Sequence, residues 1–209
     1  MKYPLLLIRS LSAGAACVCL SGCLNLKPAQ VTARYFVLSP IPVAAAQSPP
    51  VPAVGVGQVK LPSYLFKDSL AVRKGANEIE YMETASWAEH LQGGFQRVLA
   101  ANLGALLPAR QVRISAWHRK DVAMEVHVTV EQFDVDAGGS GVLVAWWRVL
   151  SPGGENVLKA GHFRSSCQGP PPRENPQGAT ATLSQLVGSL SQQLAEGMRT
   201  ISDGEPAKR

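Results

Sequence analysis

Apolar residues recur along this chain with two different periods, and the points where the period changes divide it into elements. From Ser86 to Leu107, Trp87, Leu91, Phe95, Val98, Leu99, Leu103 and Leu106 follow one another at three- and four-residue spacing. That spacing predicts an amphipathic helix with one apolar stripe. Pro108 stops it, and Gly93-Gly94 weaken it enough that something must pack closely there. A second helix is predicted from about Thr182 to Ile201, with Leu183, Leu186, Val187, Leu190, Leu194, Met198 and Ile201 on one face and Thr182 with Gln185 as a capping box. Between the helices the period falls to two. Val122, Met124, Val126, Val128 and Val130 alternate with Glu125, His127, Thr129 and Glu131, the mark of a half-buried strand.

Glycine and proline punctuate the rest. Gly138-Gly139-Ser140-Gly141 turns that strand into Val142 to Leu150, and Pro152-Gly153-Gly154 turns this into Val157 to Cys167, an antiparallel meander. Earlier, Tyr35 to Leu38, Val54 to Lys60 and Val112 to Ile114 read as strands, and Leu70 to Arg73 with Glu78 to Met82 as a hairpin. Ser39 to Pro52, rich in proline, is expected to be an extended surface loop, and Gly169 to Pro176 a second loop. The order of strands, helix, strands, helix predicts an α+β fold. The expectation is a single domain over residues 35–202, its largely antiparallel sheet carrying two amphipathic helices on one face. Asp203 to Arg209 is a polar tail, expected to be disordered.

The first 34 residues have another character. Lys2 and Arg9 precede an apolar run from Leu11 to Leu20, and Leu20-Ser21-Gly22-Cys23 closes it. A positive start, a short apolar middle and small residues before a cut is the layout of a secretory signal. The cysteine at the cut resembles the bacterial lipobox, whose thiol takes diacylglycerol before cleavage. On that reading residues 1–22 are a lipoprotein signal peptide, Cys23 carries the acyl chains and residues 23–34 are a tether. A plain signal peptide and an uncleaved membrane helix are the alternatives. The second needs about 20 apolar residues, and Arg9 interrupts this run. Leu24, Asn25 and Leu26 follow the cysteine, with no aspartate at the second position. The sorting rule for such lipoproteins then points to the outer membrane, with the domain facing the periplasm.

Composition narrows the chemistry. The formal charge of +5 falls to +3 once Lys2 and Arg9 are removed, and the cations form no run, so nucleic acid is not an expected partner. Cys17 and Cys19 leave with the signal and Cys23 takes lipid, so Cys167 has no disulfide partner in the mature chain. His90, His118, His127 and His162 fall in no metal-ligand spacing, so neither metal nor cofactor is expected. Gly55-x-Gly57 lacks the rest of a dinucleotide fingerprint, and Gly138 to Gly141 is a hairpin turn rather than a nucleophile elbow. The expectation is a protein that catalyses nothing.

Candidate contact sites remain. Leu61-Pro62-Ser63-Tyr64-Leu65-Phe66 sets large apolar side chains on a turn, either folded onto the core or exposed to a partner. Trp146 and Trp147 must point to opposite faces of one strand, so one joins the core and the other meets a partner or a lipid surface. Glu89 has no cation at helical spacing and either caps the helix or pairs elsewhere.

Leu61-Pro62-Ser63-Tyr64-Leu65, Trp87-Ala88-Glu89-His90-Leu91 and Arg97-Val98-Leu99-Ala100-Ala101-Asn102-Leu103 together resemble the PqiC-type (YmbA-like) lipoproteins. Tyr35 to Leu38, Phe133-Asp134 and Ala145-Trp146 extend the likeness across the mature chain. The resemblance implies an auxiliary lipoprotein of an MCE-type ABC lipid-transport system. It also implies docking of an MCE-domain, periplasm-spanning protein at the outer membrane, for lipid transport between membranes and envelope integrity, with a homo-oligomer among the assemblies it allows. Leu61, Pro62, Tyr64, Leu65, Trp87 and Glu89 are the partner-binding candidates it selects. A stand-alone periplasmic lipid carrier, holding an acyl chain between helices and sheet, is the alternative.

Overall fold

The computed structural model describes residues 32–42, 53–107, 111–114 and 117–204. They belong to one compact unit, Thr32–Arg209. Cys23 and most of the tether lie outside the described residues.

Three long strands carry the sheet: β6 (Met124–Asp136), β7 (Ser140–Leu150) and β8 (Val157–Gln168), paired antiparallel in sequence order. The free edge of β6 is shared. Its first residues pair in parallel with β2 (Val54–Val56), which continues to β5 (Val112–Ile114), and its last pair in parallel with β3 (Ser69–Gly75). Beyond β3 lie β4 (Glu78–Trp87), antiparallel to it, and β1 (Arg34–Phe36), parallel to β4. The fold is α+β, with a mixed but mostly antiparallel sheet. The parallel pairings are short and join segments far apart in sequence, and alternation alone carries no sign of them.

Helices α1 (Leu91–Leu106) and α2 (Pro176–Gly204) pack on the same face of the sheet and on each other. Phe95, Leu99, Leu103, Leu183, Leu186, Leu190 and Leu194 meet Val126, Val128, Leu143, Ala145 and Trp147 from the strands, all buried. The inward stripes are those the periodicity marks, which is why two helices suffice to cover the core.

Boundaries differ from the pattern in informative ways. The first helix starts at Leu91, not Ser86. Ser86 and Trp87 end β4, paired in parallel with Tyr35 and Phe36. Trp87 points into the core like Leu91, so its spacing mimics a helical turn. The second helix starts at Pro176, not Thr182. Asn175 caps it, its Oδ1 accepting from the Gly178 N–H at 2.9 Å, with proline at the first helical position, where no donor is needed. Thr182 is therefore interior, its hydroxyl donating back to the Gly178 carbonyl, and the helix runs on to Gly204. Strand β6 continues past Val130 because a bulge between Val130 and Gln132 shifts the alternation, turning Phe133 and Val135 inward.

The segment after β1 is not a surface loop over its described part. Leu38 is 1 % exposed. Arg97 and Asn102 of α1 and Ser184 of α2 hold the backbone there. The Arg97 guanidinium donates to the Leu38 carbonyl at 3.0 Å, the Ser39 N–H donates to Ser184 Oγ at 3.1 Å, and the Ile41 N–H donates to Asn102 Oδ1 at 3.0 Å. Ile41 lies on Gly188, where a Cβ would stand 2.6 Å from its side chain. Residues 38–42 thus form a strap sewn onto both helices.

Candidate functional site

The turn at Leu61 to Phe66 is a short 3-10 turn, Ser63–Phe66, following Pro62. Leu61 and Leu65 turn inward, 8 % and 4 % exposed, and Pro62 is half-buried. Trp87 is buried at 7 %. Leu61, Leu65 and Trp87 are core residues of the chain: the turn folds its leucines inward, and Trp87 faces the core from the end of β4. Phe66, which the partner-binding set omits, is the one left outside, 59 % exposed beside Lys67, Asp68 and His90 at a small cleft of about 270 Å³.

Tyr64 is half-buried and polar in its role. Its hydroxyl donates to Asp134 Oδ2 at 2.8 Å and accepts from the Phe133 N–H at 3.2 Å. Arg73 grips Asp134 with two nitrogens, Nε to Oδ1 at 3.0 Å and a terminal nitrogen to Oδ2 at 2.7 Å, and Gln132 adds a fourth donor at 2.9 Å. Asp134 is 2 % exposed, so its charge survives burial only through these partners. Burial, aided by the neighbouring carboxylate, pushes the Tyr64 hydroxyl up to about 12. It is a fixed donor rather than a proton shuttle. The cluster locks the turn to β3 and β6, and the Asp134 in Phe133-Asp134 was its legible trace.

Glu89 pairs with Arg97, eight residues on, through both carboxylate oxygens. Its side chain lies over Gly94, where a Cβ would stand 2.9 Å from Oε1, while nothing approaches Gly93. The double glycine is half explained: one residue admits the carboxylate. Through Arg97 the same pair reaches the strap at Leu38.

On the bare face of the sheet, Trp146 is 54 % exposed and Trp147 is 3 % exposed beneath α2. Trp147 lies across Gly161, where a Cβ would come within 2.6 Å of its ring. Glu125, nearly buried, accepts from the Gly153 N–H at 2.8 Å and from the Trp117 indole at 3.2 Å. Burial raises its carboxyl, but those donors and His127 outweigh it and hold the group below the usual range. Cys167 is half-buried, its thiol 3.1 Å from Gln185 Oε1 on α2. Among the described residues no cluster of His, Cys, Asp or Glu is arranged for a metal ion, and no helix is long and apolar enough to cross a membrane.

One further concavity stands out. A cleft of about 560 Å³ opens between β1 with its strap and the first turns of α2. Tyr35 and Val37 stand exposed at its rim, 69 % and 45 %, with Arg34 stacked over Phe36 at 5.3 Å. It adjoins Arg34, at the start of β1.

The family model for the ABC-type transport auxiliary lipoprotein component matches residues 36–195, from the end of β1 into the last turns of α2. This chain belongs to that family. As a member it is an auxiliary lipoprotein of transport systems, which implies a membrane anchor. Two solved structures share the fold. One, a Xanthomonas campestris protein, superposes with a TM-score of 0.66 at 12% identity, covering 81% of this chain and 97% of its own. The other, an uncharacterized protein, gives 0.63 at 19% identity, covering 79% and 97%. No curated protein matches the sequence.

Proposed function

We propose that this auxiliary lipoprotein is a non-catalytic docking module. It is held in the outer membrane by acyl chains on Cys23, faces the periplasm, and receives an MCE-domain, periplasm-spanning protein for lipid transport and envelope integrity. The observation that carries the reading is the family match over nearly the whole described domain. The strap supports it. A load on the anchor passes through residues 38–42 into both helices rather than into a loose leader. A homo-oligomer would multiply the docking surface.

Leu61, Pro62, Tyr64, Leu65, Trp87 and Glu89 serve docking from behind. They hold Phe66 and the rim of the small cleft in place, and the contact itself falls to Phe66 and to Tyr35 and Val37. Photo-cross-linkers at Phe66 and Tyr35, used in cells, should trap an MCE-type protein. Failure from correctly folded, membrane-localised variants would reject the docking role.

The cleft beside β1 favours a second reading, the lipid carrier, since about 560 Å³ falls in the range of ligand pockets. Native mass spectrometry separates the two. A lipid bound at one per chain supports the carrier, and a lipid-free chain supports docking.

A further inference from the structure

Opposite the helices the sheet is open around Trp146 and along β8, while both ends of β6 are covered, Asp134 by Tyr64 and Arg73 and Glu125 by Trp117 and Gly153. The charges of this face are distributed unevenly. Every carboxylate on the outward side of β6 is engaged. Asp134 is gripped by Arg73, Asp136 accepts from the Gly138 and Ser140 N–H groups, and Glu125 accepts from Gly153 and Trp117. Glu131 accepts the Trp146 indole N–H at 2.8 Å and stands 3.6 Å from His162. The arginines are not engaged. Arg148 and Arg164, both exposed, make no hydrogen bond or ion pair among the described residues. They flank an aromatic pair: Trp146 faces His162 across the strands, ring centroids 4.4 Å apart. Arg148 lies two residues beyond Trp146 on β7, and Arg164 two beyond His162 on β8. Leu158, on the same side of β8, is 42 % exposed.

We propose that this face rests on an anionic phospholipid surface, so that the domain is held at the membrane by an orienting contact as well as by its anchor. An indole and arginine side chains with apolar stems are the groups that favour the boundary between headgroups and acyl chains. Unpaired arginines complement anionic headgroups. A broad sheet surface suits a lipid surface better than it suits a groove-seeking peptide. Reach is sufficient. The 11 residues from Cys23 to Arg34 (34 − 23) extend up to ~39 Å at ~3.5 Å each. Five strand spacings separate β1 from β8, or ~24 Å at ~4.8 Å each. The proposal rests on the acylation of Cys23, which the test reads separately.

The full chain, purified after export, is reconstituted into vesicles of phosphatidylethanolamine and phosphatidylglycerol bearing brominated acyl chains, and tryptophan fluorescence is followed. The expected result is strong quenching that Trp146→Phe largely abolishes, because Trp87 and Trp147 are buried and Trp117 is half-buried with its indole held by Glu125. Arg148→Ser with Arg164→Ser should lower quenching to the level seen in phosphatidylcholine vesicles. Unchanged thermal melts show that these surface variants fold. Quenching that is absent, or indifferent to Trp146→Phe, overturns the proposal, as does shielding of Trp146 by a second copy or a protein partner instead of lipid. Mass spectrometry of the N-terminus distinguishes the failures. An acylated chain with unquenched Trp146 rejects the face alone. A chain without acyl groups rejects the anchor, and its co-sedimentation with phosphatidylglycerol vesicles then decides the face: pelleting that Trp146→Phe abolishes supports it, and no pelleting overturns it.

Discussion

The two sides of the sheet are held together by different means. On one side β6, β7 and β8 are long neighbours in sequence, joined by tight turns, with a core face filled by alternating apolar residues. On the other, β1, β2 and β5 are three-residue strands in parallel pairings, and polar side chains from the helices hold β2 and the strap that follows β1. Gln96 of α1 donates to the Val56 and Gly57 carbonyls at 2.9 Å, and Arg97, Asn102 and Ser184 hold the strap. The difference teaches that the meander is stabilised mainly by burial and the tether side mainly by specific hydrogen bonds. The same side carries the cleft.

That contrast can be broken from the meander first. Trp147→Ala should destabilise the whole domain by about 3–5 kcal/mol, as large aromatic truncations in cores do. The measurement is denaturant unfolding, and every strand should lose protection together. Asp134→Ala strikes the joint between the sides. Removing one member of a buried pair costs about 3–5 kcal/mol, and the lower end applies here because Arg73 keeps 25 % of its side-chain surface. A shift in unfolding midpoint far smaller than Trp147→Ala gives would show that the joint is dispensable. Asn102→Ala should cost less, about 1–3 kcal/mol for the buried groups it leaves unpaired. Its signature is local: hydrogen exchange should accelerate at Ile41 and its neighbours while β7 stays protected. Uniform acceleration would erase the distinction between the sides.

The smallest effect is a pH dependence. Tyr64 titrates near 12 when folded, against about 10 for an ordinary tyrosine, so its contribution is complete below pH 10 and is lost as pH rises towards 12. Tyr64→Phe should remove that part of the alkaline decline while lowering stability modestly at neutral pH. A decline identical in the variant would assign it to other groups.

Much of this could be read along the chain. The α+β class, the meander and both helical stripes follow from periods of two and 3.6, because burying one face of an element imposes its spacing directly on the sequence. Opposite faces for Trp146 and Trp147 follow from the same rule. Other features left traces that were ambiguous alone. Asn175-Pro176 is a helix start, but the nearby prolines read as loop. Phe133 and Val135 fall out of phase with Val130, which is a bulge once the pairing with β7 is known. The contact candidates were the least decidable from the sequence. Leu61, Leu65 and Trp87 are apolar residues near a turn, and no local rule says whether such residues face a core or a partner.

The sequence by itself determined the class of fold, the alternation that bares one tryptophan of the pair, the lipobox expectation at Cys23 and the likeness that the family match upholds. Tertiary structure alone decided which side chains remain outside. It buried Trp87 and exposed Phe66, sewed residues 38–42 to the helices, gathered Tyr64, Arg73 and Asp134 from three segments, and left Arg148 and Arg164 unpaired beside Trp146. The physical reason is range. Periodicity records what each element buries against its neighbours as a whole, whereas the strap contacts and the Arg73–Asp134 pair join residues 59 to 145 positions apart that meet only when the chain is folded.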